Sequence, residues 1–144
     1  MGRKRSNFHR STAAHSLALQ HLHIRHRFPG FSYQWASGEG IWRGELQPRE
    51  MSAVYMLEIR YRLGKVPLVR VLSPPLARKP PHVYSDGTLC LYWPKEWGWR
   101  GTYLIAETIL PWAALWLYYY ELWLDTGKWL GPSSHDQISA QTTK

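Results

Sequence analysis

The chain has 144 residues and a hydrophobic fraction of 44%, which predict a single domain large enough to bury its own core. Its single cysteine excludes an internal disulfide and favours a reducing, cytoplasmic setting. The formal net charge is +8, and part of it lies in the run Gly2-Arg3-Lys4-Arg5. Because no periodic basic stripe or nucleic-acid module follows this run, nucleic acid is not predicted as the main partner.

The N-terminal part of the sequence predicts a flexible segment and then a helix. Residues 1–10 are polar and basic, and they lack the apolar stretch of a secretory signal. Ser11 or Thr12 can cap a helix that continues through Ile24 and stops at Pro29-Gly30. The helix is rich in histidine, but no more than two of its histidines are spaced to share a face, which makes a weak metal site.

Four short segments with alternating apolar and polar residues predict four consecutive β-strands. They cover residues 31–35, 41–46, 53–62 and 67–72, with turn residues between them. The third is the clearest, because Tyr55, Leu57 and Ile59 would point to one face while Glu58 and Arg60 point to the other. Short turns between consecutive strands indicate an antiparallel meander, and flanking helices can cover its apolar face.

The sequence after Trp99 predicts helix again. Thr102 can cap a segment that runs through Leu110, and Pro111 predicts a kink or a fresh helix start. An aromatic stripe at helical spacing follows, and Gly127 is suited to end the helix. The stripe consists of Trp112, Leu115, Trp116, Tyr119 and Trp123.

The segment from Leu104 to Leu124 is also long enough for a membrane span. Its two carboxylates, its proline and its central aromatic residues favour a buried helix instead, so no membrane association is predicted. The predicted fold class is therefore α+β, with one domain over residues 11–131 and a flexible tail over residues 132–144.

The stretch from Pro80 to Trp99 reads PPHVYSDGTLCLYWPKEWGW and contains Cys90, the only cysteine. Its prolines and the Asp86-Gly87 turn predict a rigid surface loop between sheet and helix. An accessible thiol can act as a nucleophile when hydrogen-bond donors face the oxyanion that its attack creates. His82 lies close enough in sequence to donate such a bond or to act as a base. A hydrolase triad of Cys90, His82 and Asp86 within one short loop would be unusual geometry.

This stretch resembles the active-site loop of ubiquitin-conjugating enzymes. Those proteins carry His-Pro-Asn, a short Tyr-x-x-Gly turn, Cys-Leu and a later Trp. Here Pro80-Pro81-His82 takes the place of His-Pro-Asn, and the other motif residues match in order and spacing: Tyr84, Gly87, Cys90, Leu91 and Trp97. The family layout is similar to the predicted one, with an N-terminal helix, a four-stranded antiparallel meander, an active-site cysteine loop and C-terminal helices. The main departure is His82 in place of asparagine.

The aromatic segment over residues 111–129 narrows the resemblance, because it is similar to stand-alone bacterial members found in antiphage operons, notably short type II CBASS systems. The resemblance implies a thioester-forming conjugating enzyme in bacterial antiviral defence. Cys90 would accept the C-terminus of a cGAS-like nucleotidyltransferase or of a ubiquitin-like protein and transfer it to a lysine amine of a target protein. No cofactor is implied, since activation by ATP belongs to another protein.

The resemblance also implies roles for the residues around Cys90. His82 would stabilise the oxyanion, act as a base or support the loop. Tyr84 and Asp86 would orient the incoming amine, or Asp86 would only form the turn. Trp97, together with Lys95 and Glu96, would border the groove that receives the acyl donor, and His135 in the tail could approach the site.

A second hypothesis keeps this fold without its chemistry. In it the protein is a catalytically inactive binding module that docks a partner protein through its aromatic helix, and Cys90 is a structural residue. The Cys90→Ser variant discriminates between the two hypotheses, because a binding module would keep full function without the thiol.

Overall fold

A computed structural model of the chain describes residues 14–92 and 98–132. It contains the helix α1 (Leu17–Arg27), the strands β1 (Ser32–Ala36), β2 (Glu39–Leu46), β3 (Tyr55–Arg62) and β4 (Leu68–Ser73), and the helix α2 (Ile109–Thr126). The four strands form one antiparallel sheet in the order β1-β2-β3-β4, which confirms the predicted meander. The predicted flexible ends lie outside the described residues except for Pro132, so the domain boundaries stay predictions.

The sheet buries one face against both helices. As predicted from the alternation in β3, Tyr55, Leu57 and Ile59 are buried in the core, and residues of α1 and α2 belong to the same apolar cluster. Gly44 in β2 permits this packing, because a Cβ there would come within 2.4 Å of the Phe31 ring.

The opposite face of the sheet carries a buried carboxylate between two arginines. Glu58 accepts hydrogen bonds from Arg60 at 2.7 Å and from Arg43 at 2.9 Å. Burial opposes its ionisation, yet these hydrogen bonds hold the pKa of Glu58 below its ordinary value. The strand pairing Arg43↔Glu58 fixes this arrangement across β2 and β3.

Helix α1 begins later than predicted. Ser16 caps it, because its side-chain oxygen accepts a hydrogen bond from the Leu19 amide at 3.1 Å. The preceding residues are not helical, since the His15 amide donates instead to the Gly101 carbonyl at 2.8 Å. Helical structure over residues 14–16 was therefore a wrong prediction, and Ser11 and Thr12 lie outside the described residues.

The predicted helix from Thr102 to Leu110 is also wrong over most of its length. Residues 101–108 form turns, and α2 begins at Ile109. The buried side chain of Gln20 in α1 holds these turns, because it donates to the Tyr103 carbonyl at 2.8 Å and accepts from the Ile105 amide at 2.9 Å. A fresh helix start near Pro111 is confirmed, since proline in a first helical turn removes no intrahelical hydrogen bond.

The buried stripe of α2 differs from the predicted one. It consists of Ile109, Leu110, Ala113, Trp116, Leu117 and Tyr120, whereas Leu115 is 47% exposed. Gly127 ends the helix in the left-handed conformation, with φ of 73°, as predicted. α2 is the only helix within residues 98–132, so the prediction of several C-terminal helices is not confirmed. No helix of the described residues is long and apolar enough to cross a membrane.

Candidate active site

The cysteine loop is a miniature antiparallel hairpin. Val83 and Leu89 form an isolated β-bridge, and the Cys90 amide donates to the His82 carbonyl at 2.9 Å. On the other side of the bridge, the Tyr84 amide donates to the Thr88 carbonyl at 2.9 Å. The backbone around Cys90 is therefore held by regular cross-strand hydrogen bonds instead of forming an open coil.

The hairpin is attached to the sheet. The Leu89 amide donates to the Val69 carbonyl of β4 at 2.9 Å, and the Leu89 side chain is buried in the core. Because β4 is an edge strand, this bond uses a carbonyl that the sheet leaves unpaired. The position of Cys90 is thus set by the sheet on one side.

Asp86 closes the turn of the hairpin. Its Oδ1 accepts from the Thr88 amide at 2.9 Å and from the Thr88 hydroxyl at 2.6 Å, as in an Asx turn. These two hydrogen bonds hold the pKa of Asp86 below its ordinary value. Arg70 of β4 lies 4.0 Å from the other carboxylate oxygen. The carboxylate is therefore directed at the turn and at the sheet edge, which is not the arrangement of a third triad member.

His82 holds the hairpin against α2. Its carbonyl accepts both the Cys90 amide and the indole Nε1–H of Trp116, the latter at 3.1 Å. Its imidazole ring lies 4.9 Å from the Trp129 ring, centroid to centroid. Its φ is 56°, a left-handed conformation in which asparagine, aspartate and histidine are strongly enriched among non-glycine residues. This conformation gives a physical reason why histidine can replace the asparagine of the motif.

Cys90 is partly exposed. Its sulfur donates to the Tyr92 carbonyl at 3.6 Å. A hydrogen bond with Cys90 and then burial raise the pKa of Tyr84 to about 12. Burial also raises the pKa of Tyr92. The described side chains around the sulfur therefore include a tyrosine whose hydroxyl is uncharged at neutral pH.

A groove of about 500 Å³ runs along the turn side of the hairpin. Its walls are largely apolar and include Leu68, Tyr84, Leu89, Tyr92 and Trp99. The predicted groove residues Lys95, Glu96 and Trp97 lie outside the described residues, as does His135. Among residues 14–92 and 98–132, no three histidine, cysteine, aspartate or glutamate side chains are placed to hold a metal ion.

Trp116 and Trp129 are site residues that sequence reasoning did not assign. Trp116 was expected on the apolar face of its helix, but nothing in its spacing revealed that its indole N–H reaches a carbonyl 34 positions earlier. Trp129 follows the helix terminator Gly127, where a lone tryptophan gives no periodic signal. For Trp116, the polar atom on an otherwise apolar side chain was the one available indication, because buried indoles usually find a hydrogen-bond acceptor.

The four-stranded antiparallel sheet, with a helix before it and a helix after the cysteine hairpin, is consistent with the fold of ubiquitin-conjugating (E2) proteins. A family model described as "Type II CBASS E2 protein" matches residues 20–136, and the chain belongs to this family. A search of curated proteins finds no match. Family membership indicates an E2-like role in the CBASS antiphage system.

Proposed function

We propose that the protein is a thioester-forming conjugating enzyme with Cys90 as its nucleophile. The Cys90 thiolate attacks the carbonyl of an activated C-terminal acyl group, either an acyl adenylate or a thioester on another protein. The leaving group departs with its electron pair, and a thioester forms on the sulfur. A neutral amine then attacks the thioester carbonyl, the carbon–sulfur bond breaks, and the amine loses a proton as the amide forms.

The observation that carries this proposal is the placement of the Cys90 sulfur. Cys90 is partly exposed, whereas the backbone around it is hydrogen-bonded to the sheet through Leu89 and to α2 through His82. A cysteine that is held in one place and partly exposed suits attack on a large macromolecular carbonyl, because less ordering is needed on binding. A purely structural cysteine would be expected in the core.

The acyl donor we propose is the C-terminus of a cGAS-like nucleotidyltransferase, with a ubiquitin-like protein as the alternative. Membership in a CBASS family supports the first, because it points to partners within that system. The groove beside the hairpin has apolar walls and room for an extended chain. The acceptor is a lysine amine of a target protein.

The roles of the other residues follow from the geometry as part of the proposal. His82 supports the loop through its carbonyl and its left-handed backbone, and its ring packs on Trp129. Tyr84 stands next to the sulfur, where it can also meet the incoming amine. Asp86 shapes the turn through Thr88, and orienting the amine is a secondary role for its exposed carboxylate. Trp97 lies outside the described residues, and we propose that it borders the groove, as the resemblance implies.

The experiment is to mix the purified protein with the candidate acyl donor, its activating protein and ATP, and to separate the products without reductant. Wild type is expected to form an adduct that dithiothreitol cleaves. Cys90→Ser is expected to form either no adduct or one that resists dithiothreitol, since an oxyester does not exchange with thiols. An adduct with wild-type behaviour in Cys90→Ser would refute the proposed role of Cys90.

The binding-module hypothesis gains less support from the structure. Two of the aromatic residues of α2, Trp116 and Tyr120, are buried in the core and hydrogen-bonded to the chain. They are therefore not available for a partner. Full antiphage activity of Cys90→Ser would nevertheless favour that hypothesis over catalysis.

A further inference from the structure

Tyr84 and Cys90 lie on the same face of the miniature hairpin. Side chains alternate along a strand, so the bridged residues Val83 and Leu89 point one way, and their neighbours Tyr84 and Cys90 point the other. Val83 packs against the core and Leu89 is buried in it, whereas Tyr84 on the second face is 47% exposed. Tyr84 and Cys90 are diagonal neighbours across the ladder, a separation that an aromatic side chain can bridge.

The sulfur has one observed hydrogen-bonding partner, the Tyr92 carbonyl, and one polar neighbour on the same hairpin face, Tyr84, and the two suit different protonation states. The Tyr92 carbonyl can only accept, so its contact at 3.6 Å belongs to the thiol. A thiolate needs a donor, and the Tyr84 hydroxyl supplies one. The raised pKa of Tyr84, about 12, keeps this hydroxyl protonated across the physiological range. The Tyr84 hydroxyl can therefore act toward the sulfur as a donor and not as a base.

We propose that Tyr84 is a catalytic residue, whose hydroxyl donates a hydrogen bond to the Cys90 thiolate both before acylation and when the thiolate leaves. Its role in catalysis rests on the proposed function, but its effect on the thiolate does not. A thioester sulfur is a poor acceptor compared with a thiolate, so the bond weakens on charging and strengthens again as the carbon–sulfur bond breaks. The same contact therefore assists formation of the nucleophile and departure of the leaving group.

Other titratable groups near the sulfur must be separated from this effect. Asp86 stays ionised over the neutral and alkaline range, because Thr88 holds its pKa low, and Arg70 lies beside it. Tyr92 stays neutral, since burial raises its pKa. His82 occupies the facing position of the hairpin, so each measurement is repeated in a His82→Asn background. Lys95, Glu96 and His135 lie outside the described residues and are unchanged in all variants.

The test is the rate of Cys90 alkylation by iodoacetamide between about pH 6 and pH 10, followed by intact mass. The protein has one cysteine, so subtracting the alkylation of Cys90→Ser from that of each cysteine-containing protein gives the rate of this thiol. Tyr84→Phe keeps the ring and removes the hydroxyl. We expect its rate near neutral pH to fall roughly three- to tenfold, the effect of one hydrogen bond to a partly exposed charged acceptor. The alkaline plateau should stay equal or rise slightly, because a less stabilised thiolate is more nucleophilic.

Tyr103→Phe is the matched control, because Tyr103 is 37% exposed and Tyr84 is 47% exposed, and the hydroxyl of Tyr103 has no contact with the sulfur. It should alkylate like wild type. A Tyr84→Phe profile identical to wild type would overturn the proposal. So would an equal loss of rate at every pH, since that indicates altered access and not a lost hydrogen bond.

The outcome is independent of the acyl donor. If Tyr84→Phe changes alkylation but wild type never forms a thioester, the contact with the thiolate stands and the proposed function fails. If wild type forms a thioester and Tyr84→Phe both alkylates and discharges to lysine at wild-type rates, the proposed function stands and the role of Tyr84 fails.

Discussion

Replacing Trp116 with phenylalanine tests whether α2 holds the cysteine hairpin in place. The indole of Trp116 is 4% exposed and donates to the His82 carbonyl at 3.1 Å. Phenylalanine removes this donor but keeps an aromatic ring in the core. The lost hydrogen bond costs about 1 kcal/mol, the low end for a buried acceptor, because the His82 carbonyl keeps its bond from Cys90.

The smaller ring adds a second contribution. Complete removal of a buried tryptophan side chain costs about 3–5 kcal/mol, so contraction to phenylalanine costs about 1–2 kcal/mol. The sum is about 2–3 kcal/mol, or a drop in Tm of roughly 6–12 °C for a domain of this size. Urea denaturation measures the loss in the free energy of unfolding, and a thermal scan measures the drop in Tm. Iodoacetamide alkylation of Cys90 measures the effect on the site.

Tyr120→Phe is the control, one helical turn further along the same buried stripe. The Tyr120 hydroxyl accepts a hydrogen bond from the Ala77 amide at 2.8 Å, so the variant also loses one buried hydrogen bond, worth about 1–2 kcal/mol. It should leave the alkylation rate of Cys90 unchanged, whereas Trp116→Phe should change it. Equal alkylation rates in all three proteins would refute the idea that Trp116 positions the hairpin.

Three further predictions concern other positions. His82→Asn should keep most thioester-forming activity, because asparagine tolerates the left-handed backbone seen at φ 56°. His82→Ala should lose roughly 2–4 kcal/mol of transition-state stabilisation if the side chain is also an oxyanion donor. Equal losses of kcat/KM in both variants would point to a base. Gln20→Leu should lower the free energy of unfolding by about 2–4 kcal/mol, since it leaves the Tyr103 carbonyl and the Ile105 amide unpaired; a change below 1 kcal/mol in urea denaturation would contradict this. Glu58 has a lowered pKa, so its stabilising contribution is fully present above the ordinary glutamate pKa and is lost as the pH falls through the lower pKa of the folded state. The difference in the free energy of unfolding between wild type and Glu58→Gln should therefore shrink from pH 7 to about pH 3. A difference that stays constant over this range would be inconsistent with the lowered pKa.

The parts of the fold that sequence predicted correctly depend on local chemistry. The alternation in β3 places apolar side chains on one face because strand geometry leaves no other choice. Gly127 ends α2 because left-handed backbone is readily available to glycine. The hairpin turn at Asp86 and Gly87 likewise follows from an Asx interaction between close neighbours.

The parts that sequence predicted wrongly depend on distant partners. The start of α1 is set by the bond from His15 to Gly101, and the turns before α2 by Gln20, whose partners lie 83 and 85 positions away. No window of neighbouring residues contains these contacts. The predicted helix start was therefore placed at a threonine that can serve as an N-cap. The same limit applies to the candidate site, where motif spacing predicted Cys90 and His82 but gave no sign of the contact from the indole of Trp116.

The attachment of the hairpin to two separate elements has a consequence for the order of folding. Leu89 depends on β4, which precedes it, but the His82 carbonyl depends on Trp116 in a helix synthesised after the cysteine. Contacts between residues so far apart in sequence form late, because closing the intervening chain costs entropy. A nascent or truncated chain would thus contain the thiol without its full support. On the proposed function, a chain that ends before α2 should therefore form the thioester more slowly than the finished protein.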